Sequence, residues 1–164
     1  MRLTPRQSGF TLAEALLAAT ILAMTVTAIT MPFTAGARSQ AWEARRSAAV
    51  SLAEEMMEEV LSKPFADPDG DSQPGPENGE AARSDFDNVD DYHGYSEAAG
   101  QVQDLDGVAV SDEVAALLSR HVSTTYVYVG DQDTGVDPTF IRVVVELRVG
   151  SQTVATLTRL VYDP

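Results

Sequence analysis

From Ala15 to Ala37 the chain runs without a single charge, ALLAATILAMTVTAITMPFTAGA. As a helix, a run of this length crosses a hydrocarbon layer of about 30 Å. Residues 38–62, RSQAWEARRSAAVSLAEEMMEEVLS, are amphipathic instead. Trp42, Ala49 and Met56 recur every seven residues, and Ala53 and Val60 follow the last two by four, which makes one apolar stripe on a helix. Glu54, Glu55, Glu58 and Glu59 fall mostly off the stripe and read as a solvated face. The two stretches therefore predict one helix over 10–62, about 80 Å long at 1.5 Å per residue. It should kink at Pro32, which lacks an N–H, and stop at Lys63, since Pro64 disfavours helix in the residue before it.

The period changes to two near the C-terminus. Residues 122–129, VSTTYVYV, are β-branched and aromatic. In residues 139–149, Ile141, Val143, Val145, Leu147 and Val149 share one face, and Arg142, Glu146 and Arg148 the other. Gly150-Ser151 fits a two-residue turn with glycine first, and residues 152–162 return as the next strand. An antiparallel sheet with one apolar face needs a cover, and the C-terminal half of the helix supplies it. The fold class is α+β: a long N-terminal helix packed on an antiparallel sheet of three to four strands. Ser111 is placed to cap a short helix over 112–119.

Charge divides the chain further. The 164 residues carry a formal charge of -14. Residues 54–113 hold 18 acids against Lys63 and Arg83, and everything else is slightly basic. Such an excess of acid argues against nucleic-acid binding, which needs Lys and Arg for phosphates. There is no cysteine, which removes disulfides, thiolate metal sites and thiol nucleophiles. Five regions result: 1–9, 10–37 (apolar helix), 38–63 (amphipathic helix), 64–118 (acidic loop region) and 119–164 (sheet).

The acidic middle is rich in turn residues, among them Pro68-Asp69-Gly70 and Pro74-Gly75-Pro76. Asp67, Asp69 and Asp71 alternate as at the start of a calcium loop, because hard cations take several oxygen ligands. The pattern then departs from an EF-hand: Ser72 stands where glycine is needed and Asn78 where the last acid belongs. Asp87, Asp90 and Asp91 form a second cluster, interleaved with Phe86, Val89, Tyr92 and Tyr95, which can pin the loop to the domain. With no disulfide to hold this region, a bound Ca²⁺ is the candidate staple and these six aspartates its candidate ligands. A solvated acidic loop is the alternative.

Glu14 breaks the pattern at the start of the apolar run. An acid within a membrane segment is a functional candidate and needs a partner, and nothing in the apolar run can pair with it. Arg2 and Arg6 precede the run and favour a cytoplasmic N-terminus. A cleavable signal ending at Ala35-Gly36-Ala37, a plain signal anchor and a dedicated processing site all compete here.

The junction Ser8-Gly9-Phe10-Thr11-Leu12-Ala13-Glu14 resembles the prepilin signature of type IV pilins and type II secretion pseudopilins. The resemblance implies a leader over 1–9, a cut after Gly9 by a prepilin peptidase, and N-methylation of the new terminus, Phe10. It implies that Glu14, the fifth residue after the cut, neutralises the terminal amine of a neighbouring subunit during assembly. It further implies anchoring in the inner membrane, N-terminus in the cytoplasm, and assembly with other pilin or pseudopilin subunits. The resemblance is close over about the first 28 residues. Beyond them only the expected architecture agrees.

The remaining motifs ask for no enzyme. There is no phosphate loop, dinucleotide fingerprint or His-Glu-x-x-His helix. Gly94-Tyr95-Ser96-Glu97-Ala98 misses the last glycine of a nucleophile elbow. The expected function is that of a minor pilin or pseudopilin. The rival is a membrane-anchored or secreted domain outside any filament that uses its acidic loop to hold calcium or another ligand.

Overall fold

The computed structural model describes residues 9–68, 73–133 and 138–162. The chain divides into two compact units, Met1–Trp42 and Glu43–Pro164. One helix, α1 (Leu12–Leu61), contributes to both, and its helical backbone continues through Pro32. Within the first unit every described residue from 9 to 41 is exposed. Thr20, Thr25, Thr27, Thr30 and Thr34 each turn their hydroxyl back onto a helix carbonyl three or four residues earlier. An apolar helix whose hydroxyls are satisfied internally suits a hydrocarbon solvent. It is the one helix among the described residues long and apolar enough to cross a membrane.

The helix begins two residues later than predicted because Thr11 caps it. The Glu14 N–H donates to Thr11 Oγ1 at 3.3 Å, and Glu14 Oε2 accepts from the Thr11 N–H at 3.0 Å. This reciprocal pair is a capping box, which occupies two N–H groups that the helix leaves open. At the other end the Ser62 N–H and hydroxyl both bond the Glu59 carbonyl, and Pro64 follows.

In the second unit four antiparallel strands lie in chain order: β1 (Ser96–Glu97), β2 (Leu118–Val127), β3 (Phe140–Val149) and β4 (Gln152–Tyr162). Ile141, Val143, Val145 and Leu147 of β3 are buried, as their alternation predicted. They form one core with Ala49, Leu52, Ala53, Met56, Met57 and Val60 of α1. Gly150 has φ +59°, as the first position of a glycine-first hairpin turn requires, and joins β3 to β4. The register shifts opposite Leu147 and Arg148, so Val154 has no strand partner and lies half-buried beside Ala155, where strict alternation would expose one of the two.

Two local expectations are corrected. The second strand starts at Leu118 rather than Val122, because Arg120 is accepted inside the sheet, and it ends at Val127 rather than Val129. No helix spans 112–119. Asp112, not Ser111, takes the N–H groups of Val114 and Ala115 at 2.8 and 3.1 Å, and only a single 3-10 turn (Ala115–Leu117) follows before β2.

Candidate functional site

The N-terminal junction is built by the capping box. Glu14 Oε2 also accepts the Thr11 hydroxyl at 2.9 Å, so both Thr11 donors converge on one oxygen and hold the carboxylate at the helix start. Oε1 makes none of these bonds. Gly9 and Phe10 lie just before the cap in non-helical backbone, with Phe10 fully accessible. Both residues are exposed and stand next to the carboxylate that the cap orients. Residues 1–8, with Arg2 and Arg6, lie outside the described residues.

The acidic segment is organised by arginine. Arg120, on an inward position of β2, is fully buried. Its Nε donates to Glu97 Oε2 at 2.5 Å, Nη1 to the Leu52 carbonyl of α1 at 3.2 Å and Nη2 to the Gln103 carbonyl at 2.8 Å. Arg83 pairs with Glu59 of α1, bonds the Asp104 carbonyl at 3.0 Å, and stands 3.6 Å from Glu97. Tyr92 donates to Glu59 at 2.8 Å and Tyr95 to Glu97 at 3.0 Å. Burial pushes the Glu59 carboxyl up, but hydrogen bonds from Arg83 and Tyr92 and the charges of Arg83 and Arg120 outweigh it and hold it below the usual range. Glu59 is thus part of an internal ionic network, not of the solvated face its sequence position suggested. Phe86, Tyr92 and Tyr95 meet edge to face, with ring centroids 5.0–6.3 Å apart.

Carboxylates collect on the same segment. Glu77, Asp90 and Asp91 bring one oxygen each within 4.8 Å of one another, and Glu80, Asp87 and Asp91 do the same. The turn 87–91 is self-braced. Asp91 Oδ2 accepts from the Asp87 and Asn88 N–H groups at 2.8 and 2.9 Å, and Asn88 Oδ1 from those of Asp90 and Asp91 at 2.7 and 3.1 Å. Burial raises the Asp90 carboxyl to about 6 against the lowering effect of its bond from the Tyr126 hydroxyl, with the charge of Asp91 adding to the rise. Burial likewise raises Asp91. Glu77 is raised by its contact with the Glu80 carboxyl and by the charges of Asp67 and Asp91. Of the six aspartates singled out in sequence, Asp87, Asp90 and Asp91 are brought together. Asp67 is near enough to act on Glu77 and Asp90 through its charge, and Asp69 and Asp71 lie outside the described residues. Glu77 and Glu80 were missed because each stands alone in a loop whose path the sequence does not reveal. Their i, i+3 spacing, with the Glu77 N–H donating to Glu80 Oε2 at 3.0 Å, was the available signal.

The architecture alone defines an α+β protein with a pilin-like layout, one long N-terminal helix on a four-stranded antiparallel sheet. Residues 4–30 match the family model described as the prokaryotic N-terminal methylation motif. The match, confined to the N-terminal segment, is consistent with a type IV prepilin-like protein, and the motif in general implies processing by a prepilin peptidase and assembly with pilin subunits. The apolar helix in that region is compatible with membrane anchoring. No curated protein and no solved structure matches the chain.

Proposed function

We propose that this protein is a minor pilin or pseudopilin, a structural subunit of a type IV pilus or type II secretion pseudopilus. The observation that carries the reading is the methylation motif over 4–30 set directly on an exposed apolar helix. In this reading a prepilin peptidase cuts after Gly9, and Phe10 becomes the N-methylated terminus. The precursor spans the inner membrane once, its N-terminus in the cytoplasm and its second unit outside. The large acidic segment suits a low-copy subunit.

Glu14 then has two successive partners. Before assembly its carboxylate is held by Thr11, at the helix end where the backbone dipole favours a negative charge. After cleavage, the Phe10 amine of a neighbouring subunit presents a positive charge in a medium of low dielectric, where an ion pair is strong and an unpaired charge is penalised. Replacing Glu14 with Val should leave membrane insertion intact and strongly lower incorporation into filaments, measured by comparing membrane and sheared-filament fractions. Unchanged incorporation would contradict the pairing.

A further inference from the structure

We propose that Glu77, Asp90 and Asp91, with Glu80 and Asp87 beside them, form a Ca²⁺ site that fastens the acidic segment to the sheet. The site differs from the alternating Asp67-Asp69-Asp71 run suggested by sequence. It joins two separate turns, one at 77–80 and one at 87–91. It also stands apart from the filament reading, since neither processing nor assembly enters it.

The independent pointer to a ligand is a set of buried oxygens without partners. Asp91 is fully buried and Asp90 is 4% exposed, and Oδ1 of each has no hydrogen-bond donor. Oε1 of Glu77 is in the same condition. The companion oxygens are committed: Asp91 Oδ2 to two backbone N–H groups and Asp90 Oδ2 to the Tyr126 hydroxyl of β2. Each aspartate is therefore fixed by one oxygen and keeps the other uncommitted within a cluster of carboxylates, as metal ligands are oriented by the groups behind them. Buried carboxylate oxygens without a donor are costly, the more so among other carboxylates, and a cation at their centre removes the cost.

The donor set selects the ion. All the ligands are carboxylate oxygens, which suits a hard cation. Oxygens bound to one Ca²⁺ at about 2.3–2.6 Å can lie no more than about 5 Å apart. The two triads, which share Asp91 and keep their oxygens within 4.8 Å, meet that limit. Mg²⁺ retains several waters and takes one or two carboxylates, so a crowd of acids favours Ca²⁺. Through Tyr126 the bound ion would tie both turns to β2.

The test uses the full chain in detergent micelles, freed of metal with EGTA. Adding Ca²⁺ to about 1 mM, the range of extracellular calcium modules, should raise the thermal midpoint of the circular-dichroism signal by about 5 °C. EGTA should reverse the rise, and titration calorimetry should show saturable binding. Asp91→Asn, which keeps an oxygen for the two backbone donors, and the less buried Glu77→Gln should each keep the metal-free melt and lose the rise. Should Asp91→Asn fail to fold, Glu77→Gln decides alone. No rise and no saturable binding in the unaltered chain, an equal response to Mg²⁺, or a full rise retained in Glu77→Gln would overturn the proposal.

Discussion

Arg120 is the residue on which the pieces of the second unit meet. Its guanidinium reaches α1 at the Leu52 carbonyl, β1 at Glu97 and the acidic segment at the Gln103 carbonyl. The planar fork of arginine can serve three directions at once, which a lysine ammonium on a flexible stem cannot. Truncation leaves the Glu97 carboxylate buried without its main counter-charge and two carbonyls without a donor. Arg120→Ala should therefore destabilise the unit by about 3–5 kcal/mol, read from denaturant unfolding. Arg120→Lys should recover only part of the loss, and a loss below about 1 kcal/mol would show that the network contributes little. None of this was visible in the sequence. Arg120 and His121 interrupt an otherwise apolar β pattern, so the strand was expected to begin after them. The residue that neutralises Arg120, Glu97, is 23 positions away. Glu59 was misplaced for the same reason: a helix position off the apolar stripe reads as solvated until its partner, Arg83, is known.

Elements whose rules are local were legible. The alternation in β3 identified its buried face, the Ala49–Val60 part of the stripe identified the packed side of α1 while Trp42 stays outside the core, and Gly150 identified the hairpin. At φ +59° a side chain on Gly150 meets no neighbouring atom, so the backbone alone resists substitution. Gly150→Ala should cost about 1–2 kcal/mol and Gly150→Asn less, because asparagine tolerates the left-handed region. Equal costs for the two, by thermal or denaturant unfolding, would place the penalty elsewhere. The short elements were not legible. β1 has two residues, and it lies within the acidic stretch, held through Glu97 rather than by any β propensity. The turn before β2 is capped by Asp112, one residue beyond the expected serine, since either side chain can serve as a cap and only the backbone path decides.

At the scale of the whole molecule, chain composition and unit boundaries tell one story. The uncharged run belongs to the first unit, and most of the acid belongs to the second. That acid has two fates. Glu59 and Glu97 are paired with arginine, while Glu77, Asp90 and Asp91 bring carboxylate oxygens within 4.8 Å of one another. In place of disulfides, arginine networks hold the acidic segment, with the proposed ion beside them. Under the proposed function, the first unit is a helix that serves a membrane first and a filament afterwards. The most direct test of that claim is the N-terminus of the protein made together with a prepilin peptidase, read by intact mass and N-terminal fragmentation. The predicted chain begins at Phe10 and carries one methyl group on its amine; a chain that begins at Ser39 or later, or one that still begins at Met1, would contradict the account.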